Sequence, residues 1–342
     1  MNEVLTIVFY LIFFLSLHKA QGKEYLSKDT SLNLKGWFSV AVMFHHLAQR
    51  THDGLFFHHF LFTGIFSVSC FLFYSGYGLM KNCMNRKDYE KHWFRKRIMP
   101  VLLPFAFYNC LLWAVNLFEG KFIGIREMLR GLSKGEPMAI FSWYVWYILL
   151  FYIVFWILMK TVNKHPRKMI IGAFIFNILY VVFCMIMNFG IWWYNTGHII
   201  VSGMVYAAYE ETCEGVLRKY RKILYAITIP VVLTASWLPY LLPFAFQLPV
   251  YIALSVSFVI LMILVSMKHV PDSKILRFFG SISYELYLLH ELPLMMLRGT
   301  HIYIQNDSLW VLSVLVCTVL LAYGYHLLFR PVIKRLKMLS EN

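Results

Sequence analysis

Apolar segments alternate with short polar loops along almost the whole chain. Most of these segments are about 20 residues long, which is the length that an α-helix needs to cross the hydrocarbon core of a bilayer. The pattern predicts an all-α fold, a polytopic membrane protein with about 10–11 transmembrane helices in one bundle. We place these helices at residues 4–17, 36–50, 58–80, 98–118, 139–159, 169–188, 191–209, 223–243, 247–267, 278–297 and 308–329.

The composition and the charge distribution fit this prediction. Of the 342 residues, 60% are hydrophobic and 14% are charged, whereas soluble domains carry about 25% charged residues. The formal net charge of +15 would suggest a nucleic-acid partner in a soluble chain. However, 26 of the 32 Lys and Arg residues lie in the loops on one predicted side and six on the other. The positive-inside rule accounts for this asymmetry. We therefore expect a protein integral to the cell membrane and surrounded by lipids, with no nucleic-acid partner, an N-terminus outside and a C-terminus in the cytoplasm.

The first 34 residues are interpreted as an additional transmembrane helix followed by a cytoplasmic linker. The apolar run Val4–Leu17 follows Glu3, and the lysines come after it, whereas a signal peptide carries its basic residues first. A cleaved signal peptide is the alternative. Further along the chain, the outer loop 119–137 predicts a short amphipathic helix around Ile125–Leu132 that lies on the membrane surface.

The stretch Lys35–Tyr77 carries ionisable side chains within apolar sequence, where their cost points to a function. Lys35 stands at the edge of a predicted helix, and His46 lies roughly 16 Å deeper at 1.5 Å per residue. His45 points about 100° away around that helix. Because imidazole is the side chain best suited to take a proton from a hydroxyl at neutral pH, His46 is a candidate general base. A histidine that is hydrogen-bonded between helices is the alternative interpretation.

A dense group of cations precedes the helix predicted at 98–118. Arg95, Lys96 and Arg97 end the basic loop 81–97 at the inner membrane interface. Such a group can bind a polyanionic ligand through charge-assisted hydrogen bonds. Cations that only fix the topology and meet anionic lipid headgroups are the alternative.

Polar residues also fall inside the apolar segment 278–297, which contains Tyr284, Glu285, His290 and Glu291. They either line the same cavity as His46 or form local hydrogen bonds that hold helices together. We expect no metal site in the chain. The histidines at 46, 52, 58 and 59 extend over two predicted helices and a loop and match no zinc signature.

Four motifs, taken in order, resemble the acyltransferase-3 family of bacterial membrane O-acyltransferases. They are LKGWFSVAVMFHH, FLFYSGYGL, FRKRIMPVLLPF and ISYELYLLHE. The family's first motif is a lysine or arginine, then ten residues, then a histidine. It falls on Lys35 and His46. The family's serine-glycine-aromatic motif falls on Ser75, Gly76 and Tyr77. The resemblance covers roughly residues 30–330, so we predict an acyltransferase-3-like membrane domain at 35–342, after the N-terminal segment 1–34.

This resemblance implies the transfer of an acyl group, usually acetyl from cytoplasmic acetyl-CoA, to a hydroxyl of a cell-surface or lipid-linked glycan. His46 would act as the general base or first accept the acyl group itself. Lys35 would hold the donor or orient its helix. The other implied roles are contacts to the donor phosphates for Arg95, Lys96 and Arg97, and a substrate pocket formed by Ser75, Tyr77, Tyr284, His290 and Glu291.

One departure from the family pattern concerns the basic loop. The family carries an arginine, two residues and then a second basic residue at the start of the following helix. Arg97 matches the first position, but Pro100 occupies the second. Arg95 or Lys96 is the alternative source of that charge.

Two other classes of protein fit parts of the pattern. A transporter or flippase for a glycan or a lipid-linked precursor also uses intramembrane charges and proline-broken helices, although the two halves of the chain show no repeat. A family member that has lost catalysis and only organises a surface-polymer complex is the second. Lys35 and His46 argue against this class, and Pro100 argues for it.

Overall fold

The computed structural model describes residues 2–52, 54–234 and 237–338, without the side chains of Tyr240 and Lys337. Most of this part of the chain is helical. The longer helices are joined by 3₁₀ turns at Glu24–Leu26, Phe57–Phe62 and Ile191–Trp193 and by a π-helical turn at Phe94–Ile98. The helices are α1 (Asn2–Ser16), α2 (Lys28–Ala48), α3 (Gly64–Asn85), α4 (Met99–Phe118), α5 (Ile125–Ser133), α6 (Trp143–Thr161), α7 (Pro166–Ile186), α8 (His198–Ala208), α9 (Glu210–Lys219), α10 (Arg221–Thr234), α11 (Leu238–Leu241), α12 (Phe244–Ser266), α13 (Lys274–Ser281), α14 (Ser283–Leu289), α15 (Glu291–Met296) and α16 (Asp307–Met338).

The prediction of an all-α, polytopic membrane protein is confirmed. Within the described part of the chain, five helices are long and apolar enough to cross a membrane. The remaining predicted segments form helices that are shorter, broken or less apolar. The predicted amphipathic helix is present as α5, whose first turn is capped by the Glu127 carboxylate on the backbone N–H of Gly124 at 2.6 Å. The five apolar helices are Phe94–Phe118, Trp143–Thr161, Pro166–Ile186, Phe244–Ser266 and Asp307–Leu336.

Four predicted helices are wrong as continuous elements, namely those at 58–80, 191–209, 223–243 and 278–297. The segment 278–297 is divided among α13, α14 and α15. Pro293 contributes to this division because it has no backbone N–H to continue the helical hydrogen bonds. The segment 191–209 becomes a 3₁₀ turn followed by α8, since the small and polar residues 195–197 favour a turn over a helix.

The described chain forms two compact units, each built from two separate stretches of sequence. Unit 1 contains the chain up to Leu79 together with His198–Tyr287, and unit 2 contains Met80–Gly197 and the chain from Leu288 onward. The predicted boundary between an N-terminal segment at 1–34 and a membrane domain at 35–342 stays a prediction.

In unit 1, aromatic side chains join α1 to α2. Trp37 of α2 stacks on Phe9 and Phe13 of α1, with ring centroids 4.8 Å and 4.2 Å apart. Such stacked pairs stabilise by about 0.5–1.5 kcal/mol beyond the buried area. After α1 the chain forms strand β1 (Leu17–Lys19), which pairs in antiparallel register with strand β2 (His269–Pro271) after α12. The predicted polar linker is therefore held against the connection between α12 and α13.

Also in unit 1, α2 and α13 cross with their backbones in contact. A Cβ on Gly36 would lie 2.0 Å from the carbonyl oxygen of Leu276. A Cβ on Gly280 would lie 2.1 Å from the carbonyl oxygen of Leu32. Each helix thus presents a glycine to the other, which is how helices in a membrane approach most closely. The crossing lies beside Lys35 and fixes the position of α2.

The core of unit 2 is aromatic. Trp93, Tyr147, Phe151 and Phe155 are at most 1% exposed. Trp93 stacks on Phe155 with centroids 5.7 Å apart, and its indole N–H donates to the backbone carbonyl of Tyr152 at 3.0 Å. The buried indole N–H of Trp93 therefore has a hydrogen-bond partner, and its ring has an aromatic contact. Trp93 thus anchors the turn that carries the predicted cationic residues.

Candidate active site

Lys35 and His46 lie on one face of α2. At 100° per residue, the step from one to the other covers about 1,100°, which is about 20° beyond three full turns. His45, one residue earlier, is rotated about 80° from that face in the other direction. Both predicted site residues are half-buried. The prediction that Lys35 stands at the helix edge is wrong, because α2 begins at Lys28, two turns earlier.

The early start of α2 has a local cause. Ser27 is the N-cap, and its side-chain oxygen accepts the backbone N–H of Thr30 at 3.0 Å. Serine is among the preferred N-cap residues because its hydroxyl satisfies one of the amides that have no partner in the first turn. Lys35 is consequently held in regular helix rather than in a loop.

A chain of hydrogen bonds runs from His46 along the C-terminal turn of α2. His46 Nδ1 lies 3.2 Å from Oε1 of Gln49. The amide nitrogen of Gln49 lies 3.1 Å from His45 Nε2. His45 Nδ1 lies 3.0 Å from the backbone carbonyl oxygen of Phe60, in the 3₁₀ turn that follows α2. The two adjacent imidazoles are therefore connected through one glutamine.

The serine-glycine-tyrosine motif lies where α3 touches α8. A Cβ on Gly76 would lie 1.9 Å from the carbonyl oxygen of Ile200, and a Cβ on Gly203 would lie 2.2 Å from that of Phe73. The two helices thus meet backbone to backbone through a glycine on each. Ser75 and Tyr77, the predicted pocket residues, flank this contact and are both half-buried.

Tyr77 is held by an acidic residue of α9. Its hydroxyl donates to Oε2 of Glu210 at 3.0 Å, and the ammonium of Lys23 donates to Oε1 of the same carboxylate at 2.7 Å. The Glu210 side chain is only 10% exposed, so this carboxylate is held between two donors. A phenol has only one proton to donate, and Tyr77 donates it to Glu210. In this arrangement Tyr77 therefore orients the Glu210 carboxylate. The pocket role of Tyr77 stays a prediction.

The Lys23–Glu210 pair lies outside the membrane-spanning segments. The hydrogen bond to Glu210 and the attraction of its charge raise the pKa of Lys23 above its ordinary value of 10.5. A raised lysine pKa favours the folded protein at every pH below that ordinary value, and the contribution is lost as the pH rises through the folded pKa. Lys23 therefore stays protonated throughout the physiological range.

Next to this pair, three tyrosines connect the N-terminal linker to α3 and α8. The hydroxyls of Tyr25 and Tyr206 lie 3.0 Å apart. Tyr74 donates its hydroxyl proton to the backbone carbonyl of Tyr25 at 3.2 Å. Burial raises the pKa of Tyr25, so its phenol stays neutral. The linker is thus packed into the same unit as the serine-glycine-tyrosine motif.

The predicted phosphate-binding cations lie on the π-helical turn of unit 2. Arg95 is exposed, whereas Lys96 and Arg97 are half-buried. The Arg97 guanidinium donates to the hydroxyl of Tyr89 and lies 5.4 Å from the centroid of its ring. Pro100, which replaces the expected second basic residue, occupies the first turn of α4. Proline is favoured there because its fixed φ suits a helix start.

The polar residues of the segment 278–297 fall into different units. Tyr284 lies half-buried in α14 of unit 1, whereas His290 and Glu291 of unit 2 are each 1% exposed. The Glu291 carboxylate accepts the hydroxyl proton of Tyr108 and the backbone N–H of Ile140, the latter at 3.1 Å. Glu291 thus forms hydrogen bonds to other parts of unit 2. This agrees with the interpretation that the polar residues of this segment hold helices together. Its pocket role and those of Tyr284 and His290 stay predictions.

In the ranges 2–52, 54–234 and 237–338, no group of three or more His, Cys, Asp or Glu side chains is arranged to hold a metal ion.

A family model described as an acyltransferase domain matches residues 30–327. The chain belongs to the acyltransferase-3 family. The resemblance drawn from the four motifs is thereby confirmed, and the chain is a membrane acyltransferase. Comparison with curated proteins and with solved structures finds no match. The matched part of this acyltransferase begins in the first turn of α2 and ends within α16, so that α1 and strand β1 lie outside it.

Sequence reasoning missed several residues that hold the site of the acyltransferase together. Gln49 carried a usable signal, because it lies three positions after His46 on the same helix, where side chains meet. Glu210 carried no such signal, because its partner Lys23 is 187 positions away. No local pattern indicates such a pairing.

Proposed function

We propose that this membrane acyltransferase transfers an acetyl group from cytoplasmic acetyl-CoA to a hydroxyl of a cell-surface or lipid-linked glycan. The observation that carries the proposal is the family match, because residues 30–327 include every motif to which we assign a role. In this proposal the N-terminus lies outside the cell and the C-terminus in the cytoplasm, as the loop charges predict.

In the proposed reaction, His46 is the general base. Its unprotonated ring nitrogen takes the proton from the glycan hydroxyl while the hydroxyl oxygen attacks the thioester carbonyl carbon. The carbon–sulfur bond then breaks, and the coenzyme A sulfur takes the proton from the imidazolium, which regenerates the base. Ser75 supplies a hydrogen bond to the thioester oxygen as negative charge develops on it. Lys35, on the same face of α2 as His46, holds the donor or fixes the orientation of that helix.

We further propose that Arg95, Lys96 and Arg97 bind the phosphates of coenzyme A. Arg97→Ala should raise the KM for acetyl-CoA about 10- to 100-fold, because a hydrogen bond to a charged group contributes about 1.5–3 kcal/mol. The measurement is the initial rate of acetyl transfer in membrane vesicles at varied acetyl-CoA concentration.

Tyr89→Phe is the matched control for Arg97→Ala. It removes the hydroxyl that Arg97 contacts but keeps the cation, so the KM for acetyl-CoA should stay near that of the wild type. An unchanged KM in Arg97→Ala, or an equal rise in Tyr89→Phe, would contradict phosphate binding by Arg97.

The proposed function as a whole is tested by deleting the gene in its native host. Base-labile O-acetyl groups are then quantified on each surface-glycan fraction. We expect the loss of O-acetyl groups from one fraction, restored by the wild-type gene but not by a His46→Ala copy. Unchanged acetylation with altered polymer length or export would instead support a transporter.

A further inference from the structure

We infer that Gln49 and His45 are positioning residues that hold His46 in the tautomer whose basic nitrogen is Nε2. The inference rests on the proposed function, in which His46 is the general base. The inference concerns which ring nitrogen of His46 takes the proton from the glycan hydroxyl. The hydrogen bonds along the last turn of α2 show in two steps which nitrogen this is.

The first step fixes the tautomer of His45. Its Nδ1 lies 3.0 Å from the carbonyl oxygen of Phe60, and a carbonyl oxygen can only accept, so Nδ1 carries the proton. The His45 ring also packs closely against the first residue of α3, since a Cβ on Gly64 would lie 2.8 Å from His45 Nε2. A charged imidazole in such a site within apolar helices is costly. In the neutral ring, Nε2 of His45 is therefore an acceptor.

The second step fixes the orientation of the Gln49 amide. Because His45 Nε2 accepts, the group facing it at 3.1 Å must be the amide NH₂. The carbonyl oxygen of that amide consequently faces His46 Nδ1 at 3.2 Å. An amide oxygen has no proton to give, so His46 Nδ1 carries one and donates it. The remaining nitrogen, His46 Nε2, holds the lone pair.

This arrangement has a consequence for catalysis. A neutral imidazole without an orienting partner divides its population between two tautomers, and only one presents a basic nitrogen at a given position. Gln49 selects the form with the base at Nε2, and His45 selects the orientation of Gln49. The adjacent histidine thereby acquires a role although it lies on a different face of α2.

The activity test separates hydrogen bonding at position 49 from side-chain shape. Gln49→Met keeps the length of the side chain but removes its acceptor, and it should lower kcat about 10- to 100-fold with little change in the KM for acetyl-CoA. Gln49→Glu keeps an oxygen that accepts from His46 Nδ1 but loses the donor that faces His45 Nε2, so its kcat should lie between those of Gln49→Met and the wild type. The assay uses native membrane vesicles and radiolabelled acetyl-CoA, and it measures label in the surface glycan.

His52→Ala is the control, because His52 is exposed in the loop after α2, and its kcat should equal that of the wild type. A wild-type kcat in Gln49→Met would overturn the inference. So would a Gln49→Glu protein as slow as Gln49→Met, because position 49 would then serve only as packing.

A second measurement does not depend on activity. Solid-state NMR of the full chain in lipid bilayers, with ¹⁵N-labelled histidine rings, reports which nitrogen of each ring is protonated. We expect His46 to be protonated at Nδ1 and unprotonated at Nε2, and to lose this preference in Gln49→Met. The His46 signals are assigned by their absence from His46→Ala. A resting His46 protonated at Nε2 would overturn the inference.

The two tests also distinguish a failed inference from a failed proposed function. If His46→Ala retains acetyl transfer, the proposed function is wrong, and the NMR spectra still decide the tautomer. If His46→Ala is inactive but the spectra show Nε2–H, the proposed base stands and the roles of Gln49 and His45 are wrong.

Discussion

Replacing His46 by alanine should lower the rate of acetyl transfer by about 10²- to 10⁴-fold, the range typical for removal of a general base. The expected loss is in kcat, because the imidazole acts on the hydroxyl proton rather than in holding the donor. The rate is measured as label transferred from acetyl-CoA to the surface glycan in vesicles that contain equal amounts of each variant.

The effect should be specific to the ring at position 46. His46 is half-buried near the end of α2, and its replacement leaves the aromatic packing of α1 and the Gly36–Gly280 crossing untouched. The His46→Ala protein should therefore reach the same membrane level and the same thermal midpoint as the wild type. The exposed His52, replaced by alanine, is the matched control and should transfer acetyl at the wild-type rate. A His46→Ala protein with full activity would exclude the proposed mechanism.

The sequence predicted the features of the acyltransferase that depend on local pattern. Apolar length and loop charge are sufficient for an all-α membrane protein, since both act on each segment separately. The depth of His46 relative to Lys35 was also readable, because an α-helix rises 1.5 Å per residue. The rotation of about 100° per residue placed His45 on a different face from His46.

The features that were missed depend on partners far away in sequence. Gly36 fits against α13 because Gly280 faces it from the other side, and 244 positions separate the two glycines. Pairings over such distances leave no periodic signal. The break of the segment 278–297 was missed for the opposite reason. Its apolar content matches a single span, and Pro293 is tolerated in many membrane helices, so composition alone favoured continuity.

The second large effect is expected at Gly76, where alanine should lower the thermal midpoint of the purified protein and acetyl transfer together. Its Cβ would lie 1.9 Å from the carbonyl oxygen of Ile200, a rigid backbone atom, so α3 and α8 must separate. Overpacking of this kind costs about 1–3 kcal/mol. Ser75 and Tyr77 flank the contact, so a shift of α3 displaces the predicted pocket as well.

Gly78, two residues further along α3, is the matched control because a Cβ there meets nothing within 4 Å. Alanine is favoured over glycine inside a helix by about 1 kcal/mol. Gly78→Ala should therefore keep or raise the thermal midpoint, whereas Gly76→Ala lowers it. The same substitution on one helix thus has opposite expected signs, which separates close packing from helix propensity. If both variants shift the midpoint in the same direction, the backbone contact between α3 and α8 does not hold the motif in place.

Gly203→Ala tests the other side of that contact and should reproduce the Gly76→Ala result, because its Cβ would lie 2.2 Å from the carbonyl oxygen of Phe73.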